Sequence, residues 1–381
     1  MEQDAAAPPP ISQQKQRQFP CKQCGANLAF APGTDSLKCP YCGTVNEIPR
    51  SLATVAEHDF VAQLAEMERQ ADTVEQITVH CNNCGAETTL KPNVTADRCP
   101  FCGGGIVAQG KSTRQIKPQA LLPFHVTQQQ AAQAFREWIG SLWFAPSELA
   151  RRAEAAQIAG VYIPAWTYDT DTRSDYTGQR GDDYWDTETY TSFENGQHVT
   201  RTRQVRKTRW WPASGTVANN FDDVLVLASR SLPQSCAEAL EPWDLPNLTP
   251  YQDEFLSGFV GESYQIGLPE GFEVAKGFMQ PQIEESVRQD IGGDHQTISS
   301  LDTRYFDITF KHVLLPVWLA AYQYRDKTYR FVVNGRTGQV QGERPWSWIK
   351  IAGVVVAVIV AGVAIYFAVH GTGSGGPALP K

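Results

Sequence analysis

Eight of the nine cysteines in this 381-residue chain fall into four C-x-x-C pairs. Cys21, Cys24, Cys39 and Cys42 form one set, and Cys81, Cys84, Cys99 and Cys102 the other. Both sets have the spacing C-x2-C-x14-C-x2-C, and each position of the second lies 60 residues after its counterpart. Gly25, Ala26, Pro40 and Gly43 recur as Gly85, Ala86, Pro100 and Gly103, so the stretch is an internal repeat. Two residues between thiolates let both sulfurs reach one ion from a tight turn. The glycine after the second cysteine permits the backbone that aims amides at sulfur. Four thiolates close a tetrahedral shell and leave no position for a substrate, so such sites are structural. The expected cofactor is Zn2+, two ions, one per ribbon. A ribbon of roughly 30 residues buries too little apolar area to fold alone, so the metal supplies the folding energy. Iron in a rubredoxin-like shell is the rival, because C-x-x-C-G…C-P-x-C-G suits it too. Disulfides are disfavoured: the chain opens on a polar, proline-rich run with no secretory pattern.

A second motif overlaps the repeat. Gly105 to Ser112 spells G-x-x-x-x-G-K-S, the formal signature of a phosphate-binding loop. A true one follows a buried strand and opens a helix. Here a cysteine knuckle precedes it, and "RQIKPQALLP" with two prolines follows. The expectation is a ribbon's closing strand, no nucleotide and no catalytic residue. The acidic groups Asp182, Asp183, Asp290 and Asp294 lie in turn-like contexts. Asp294 and His295 are adjacent, which in a strand puts them on opposite faces. Cys236 stands alone in a proline-flanked segment with no basic neighbour.

The elements that must hold these residues are read as follows. Residues 1–19 form a polar tail, 20–50 and 78–112 the two ribbons, and 51–77 a helical linker with Phe60, Val61, Leu64 and Met67 at helical spacing. Residues 113–345 read as an α+β domain. Thr127 caps a helix that turns Ala131, Phe135 and Trp138 to one side, and Ser147 caps a second helix. Asn195-Gly196 marks a two-residue hairpin turn. It places residues whose numbers sum to 391 opposite each other, so Glu188 faces Arg203 and Asp182 faces Arg209. "LLPF", "YIPAW" and "LLPVW" share a proline–aromatic pattern, with proline expected at strand starts. Residues 351–369 carry no charge and read as a transmembrane helix within 346–370, with 371–381 a short exterior tail. Basic residues before it would keep the N-terminal bulk in the cytoplasm, tail-anchored by a single pass through the lipid bilayer. The expected fold class is therefore two repeated small zinc-ribbon β modules, an α+β domain and one C-terminal transmembrane helix.

With both ribbons, "GVYIPAWTYD", "LLPVWLAAYQY" and the terminal apolar run together, the chain resembles bacterial TFIIB-type zinc-ribbon membrane proteins. Such sequences are often labelled primosomal protein N′ (replication factor Y), superfamily II helicase. The resemblance implies, for some similar proteins, a place in membrane-stress modules as anchors for partner proteins; the leading expectation is a membrane-anchored, non-enzymatic adaptor that binds cytoplasmic protein partners. It does not imply a motor, since the middle domain lacks a D-E-x-H run and its apolar strand "DDVLVLAS" carries acids before it. The net charge of −8 and nearly charge-balanced ribbons disfavour nucleic acid, which stays as the alternative partner.

Overall fold

The computed structural model describes residues 19–370, apart from 50, 52–53, 70–73, 82–86, 90–95, 99–104, 108–110, 145, 147–157, 195–196, 233–237, 325–326 and 344–346. Three short strands, β1 (Ala29–Phe30), β2 (Ser36–Lys38) and β3 (Val45–Glu47), build the first ribbon. β4 (His58–Asp59) leads into α1 (Phe60–Arg69). The second cysteine region contains β5 (Val74–His80), β6 (Glu87–Thr89), β7 (Ala96–Arg98), β8 (Gly105–Val107) and β9 (Lys111–Gln115). The body follows: β10 (Ala120–Leu121), α2 (Gln128–Ser141), β11 (Ala159–Glu194), β12 (Gln197–Leu227), β13 (Thr249–Pro250), β14 (Val260–Gly261), α3 (Leu268–Ile291), β15 (His295–Tyr324), β16 (Lys327–Asn334), β17 (Val340–Gly342) and α4 (Trp348–His370).

The expected α+β domain is corrected. The body is dominated by a nine-stranded sheet, ordered β12-β11-β15-β10-β13, with β14 on β11, β4 on β15, and β16 carrying β17 beside β15. β11 pairs antiparallel with both β12 and β15, and only the short β10 and β14 join in parallel. Stretches that read as several short elements are single strands of 36, 31 and 30 residues.

The membrane expectation is also corrected. Among the described residues no helix is long and apolar enough to cross a membrane. The single-pass topology, the tail anchor, the bilayer contact and the orientation drawn from them fall with that span.

Side chains alternate across the sheet. Val161, Ile163 and Ala165 of β11 join Val313, Leu315, Val317 and Leu319 of β15 on one face. Tyr162, Leu314 and Trp318 point to the other, where the first ribbon and α2 pack. Further along that face Trp166 and Tyr168 meet Leu268, Phe272, Ala275 and Met279 of α3. Helix α2 has the expected Thr127 cap, completed by Gln130, and buries Ala131, Phe135 and Ile139; Trp138 is only partly buried. The helix expected after Ser147 lies outside the described residues.

The three proline–aromatic segments lie side by side: Leu121 pairs with Leu314, and Pro164 with Leu314 from the other edge. Pro164 and Pro316 sit inside strands, not at their starts. Each falls in a gap between successive neighbours. On one edge β11 pairs β14 through Tyr162 and β12 from Ala165. β15 pairs β10 through Leu314 and β16 from Val317. A missing N–H breaks no ladder at those two places.

β15 begins at His295, opposite Gly181. Beyond it β11 and β12 run on as a two-stranded arm to Glu194 and Gln197, roughly 40 Å at about 3.4 Å per residue. The pairing follows the sum of 391: Glu188 faces Arg203 and Asp182 faces Arg209. Arg203 Nη2 lies 3.2 Å from Glu188 Oε2, and Lys207 Nζ 2.7 Å from Asp186 Oδ2. The Asn195-Gly196 turn lies outside the described residues.

His312 is buried in the centre of the body. One ring nitrogen, Nδ1, lies 2.9 Å from the Ile116 carbonyl, and the ring packs against Trp166 at 4.6 Å between centroids. Burial pushes its pKa down to about 4. The folded state therefore holds the neutral ring, while the unfolded chain takes a proton near pH 6.5. Stability from this group is present above about pH 6.5 and is lost as pH falls toward 4. The loss should approach about 3 kcal/mol, and urea unfolding at pH 7 and pH 4 should show that component in the native chain but not in His312→Gln.

Candidate metal centre

The first ribbon is two equivalent turns facing each other. In one, the Gly25 amide donates to the Cys21 carbonyl at 2.9 Å and the Cys21 amide to the Ala26 carbonyl at 2.7 Å. In the other, the Gly43 amide donates to the Cys39 carbonyl at 3.0 Å and the Cys39 amide to the Thr44 carbonyl at 2.9 Å. Gly25 and Gly43 hold φ of +73° and +75°, with no atom within 4 Å of where a Cβ would stand. Glycine is needed there for the left-handed backbone and not for space. The β1-β2-β3 hairpins bring the turns together.

The four sulfurs of Cys21, Cys24, Cys39 and Cys42 lie within 4.8 Å of one another. Cys21 Sγ is 3.5 Å from Cys42 Sγ, and Cys24 Sγ 3.5 Å from Cys39 Sγ. Thiolates bound tetrahedrally at about 2.3 Å have sulfur–sulfur edges of about 3.8 Å, so the cluster has the dimensions of a one-ion shell. All four are free thiols. The Gln23 amide points at Cys21 Sγ from 3.4 Å. Amides of Cys24 and Gln23 lower the Cys21 pKa. The hydroxyl and amide of Thr44 hold Cys42 down to about 6. The Ala26 amide draws Cys24 down, but the Cys39 and Cys42 sulfurs outweigh it and push that thiol up to about 12. A cation among the sulfurs removes that conflict, because it stabilises every thiolate at once.

Cys21 and Cys39 are 3% and 1% exposed, while Cys24 and Cys42 face outward. The inner pair joins Leu28, Phe30, Leu37 and Ile48 in the cluster that contains Phe124, Tyr162 and Trp318 of the body. Main-chain bonds reinforce the dock: the Phe30 amide donates to Ser257 and the Gly33 amide to Phe124, each at 2.9 Å.

In the second set only Cys81 is described, and it is buried in the cluster on the opposite sheet face with Leu122 and Leu240. Cys84, Cys99 and Cys102 lie outside the described residues, as does Cys236. The backbone around them repeats the first ribbon. Ser36↔Glu47 and Lys38↔Val45 recur, 60 residues on, as Ala96↔Val107 and Arg98↔Gly105. Pro20↔Asn27 recurs as His80↔Glu87. Of the phosphate-loop match, Gly105 lies in β8, and Lys111 and Ser112 lie in β9, a strand paired with β5. A helix N-terminus is what such a loop needs.

The acidic candidates serve the fold. Asp182 bonds Arg180 at 2.9 Å, and Asp290 accepts the Tyr176 hydroxyl at 2.6 Å. Asp294 and His295 both reach Asp183, one accepting its amide at 2.8 Å and the other meeting its carboxylate at 3.1 Å. Asp183 also pairs with Arg206.

Sequence reasoning missed one charged cluster. Asp169, Asp222 and Asp223 converge where two residues of β12 oppose one of β11. Lys311, 8% exposed, sits among them, with Nζ 2.8 Å from Asp223 Oδ1, 3.1 Å from Glu57 Oε1 and 3.5 Å from Asp169 Oδ2. Burial lowers the Lys311 pKa, but the surrounding acids overcome it and raise it above the usual lysine range. The ammonium meets two of the three aspartates directly. The members come from four distant segments, so no local spacing announces them.

Against known proteins, no family model and no solved structure matches this chain. It is similar to "Uncharacterized protein YdjG" of Bacillus subtilis (strain 168), 26% identical over 340 residues, covering 88% of this chain and 92% of that one. That name assigns no metal, activity or partner.

Lys311→Met should leave the carboxylates without a cation and cost about 3 kcal/mol of stability at pH 7. The deficit should shrink at pH 4 as acids take protons, measured by denaturant unfolding at both values.

Proposed function

We propose that this chain is a non-enzymatic adaptor that binds two zinc ions, one per ribbon, and uses the ribbons and the sheet body to hold protein partners. One observation carries the reading. The first four-sulfur cluster has its inner cysteines sunk in the core of the body, so a bound ion fastens the ribbon to the sheet. A closed shell of four cysteines has no open position for chemistry, and its contribution is to shape and stability. The identical 60-residue offset in backbone pairing supports a second ion in the second ribbon.

Nucleic acid is the alternative partner, and the basic strand of the arm is the feature that would serve it. Three of its charges are spent internally, however. Lys207 meets Asp186 and Glu188, Arg203 meets Glu188, and Arg206 meets Asp183. Phosphate binding needs a surplus of unpaired basic groups.

Elemental analysis should find two zinc ions per purified chain. Cys24→Ser with Cys42→Ser should lose one of them, and so should Cys81→Ser with Cys84→Ser. Iron in place of zinc, with a red chromophore, would install the rubredoxin-like reading. Affinity capture with the intact chain should retrieve protein partners that at least one ribbon double mutant loses. Unchanged capture by both mutants, or tight salt-sensitive DNA binding in a filter assay, would remove the adaptor reading.

Zinc removal should also loosen the body. A chelator should lower the melting temperature of the whole cooperative transition, because Cys21 and Cys39 belong to the body's own core. Thermal unfolding followed by tryptophan fluorescence checks this.

A further inference from the structure

The outer edge of β11 is bare where β15 stops. β15 covers β11 from Ala159 to Gly181, and among the described residues no strand pairs that edge from Asp183 to Glu194. The Asp183 amide points to that side, where Asp294 caps it at 2.8 Å. Backbone groups alternate along a strand, so Trp185, Thr187, Thr189, Thr191 and Phe193 present theirs to the same open side. The Thr187 amide is met by the carboxylate of its own neighbour, Asp186, at 2.9 Å and not by a strand. Trp185 and Phe193 are 69% and 67% exposed. A two-stranded ribbon with an open edge and exposed rings is a pairing surface.

We infer that this edge pairs with the same edge of a second copy, antiparallel, about a two-fold axis through Thr189. The vacancy continues the track of β15, so the added strand extends an interface the sheet already uses. Antiparallel arms also put the two bodies at opposite ends, where they do not collide. The register follows from charge and length. Centred on Thr187, Asp186 would stand directly opposite Glu188 of the other copy. Centred on Glu188, that carboxylate would face its own copy, and Glu194 would stand opposite Asp182. Like charges directly opposite are destabilising.

Centred on Thr189, numbers sum to 378 and no acid meets an acid. Glu188 faces Tyr190 and Asp186 faces Ser192. Thr187 faces Thr191, Thr189 faces itself, and Trp185 faces Phe193 at both ends. Threonine pairs and aromatic pairs are the favoured cross-strand neighbours. The other arm's strand then ends with its Glu194 opposite Tyr184, short of the first residue of β15. The pairing is isologous and closes as a dimer. It does not depend on the adaptor reading, and neither metal nor partner enters it.

Sedimentation equilibrium of the full, metal-loaded chain should show a concentration-dependent rise to twice the 42.2 kDa of one chain. Thr189→Lys places two ammonium groups together on the axis and should weaken association about tenfold or more. Thr202→Lys, opposite Thr189 but on the outer strand, should leave association unchanged. Thr189→Cys should form a disulfide-linked dimer under mild oxidation, since paired Cα atoms there stand about 5.5 Å apart. Neither the wild type nor Thr202→Cys should give that product. A chain that stays at 42.2 kDa at every concentration overturns the inference. So does a dimer that Thr189→Lys leaves intact, or one that cross-links through Thr202→Cys instead.

Discussion

The hydrogen-bonded ladder along β11 is the constraint on which the rest of the molecule depends. This one strand pairs β15 on one edge and β14, then β12, on the other. Every large cluster of buried side chains is anchored on it: Tyr162, Ile163, Trp166 and Tyr176 each belong to a different one. Residues 161 to 168 alternate between the two faces, so the strand's two-residue period decides which module packs where. A one-residue slip would exchange the ribbon-facing and Cys81-facing side chains along its whole length.

The ribbons use that alternation. The first docks on the face of Tyr162 and Trp318, and Cys81 sits on the face of Ile163 and Val317. The first ribbon and Cys81, the first cysteine of the second set, therefore lie on opposite sides of one sheet. A metal site is commonly an appendage that folds itself. Here two of the four sulfurs of the first cluster are core residues, so metal affinity and body stability are linked through the same buried atoms. The exposed pair, Cys24 and Cys42, faces solvent.

Much of this was legible where local spacing carries the information. The Thr127 cap and the arm's register from Asn195-Gly196 depend on residues within a few positions of one another, and the cysteine repeat on a fixed spacing along the chain. The length of the strands was not legible. Turn-like residues such as Gly178 and Gly181 lie within β11, where partners on both edges hold them extended, and Asp182 is held by β12. Pro164 and Pro316 read as strand starts because a proline forfeits one ladder bond. That cost disappears only where neighbouring strands change over, a fact of tertiary pairing. The apolar C-terminal run reads as a span from its composition, yet among the described residues no helix is long and apolar enough to cross a membrane.

A sheet with strands this long must also bend to wrap a core, and the bend explains the lysine cluster. Register shifts fall at Asp169 on both edges of β11, and Asp223 and Asp307 hold φ of +52° and +48° beside them. Non-glycine residues at positive φ are uncommon, and aspartate is among the few that tolerate it. Bulges on adjacent strands at one level add twist and bend the strands there. They also crowd three carboxylates on one side of the bend. Left alone, those acids would repel and push the bulge open. The Lys311 ammonium, supplied by β15, ties β11 to β12 at that level, and Glu57 completes the ring. Geometry that concentrates negative charge is held by the one strand able to return a cation to it.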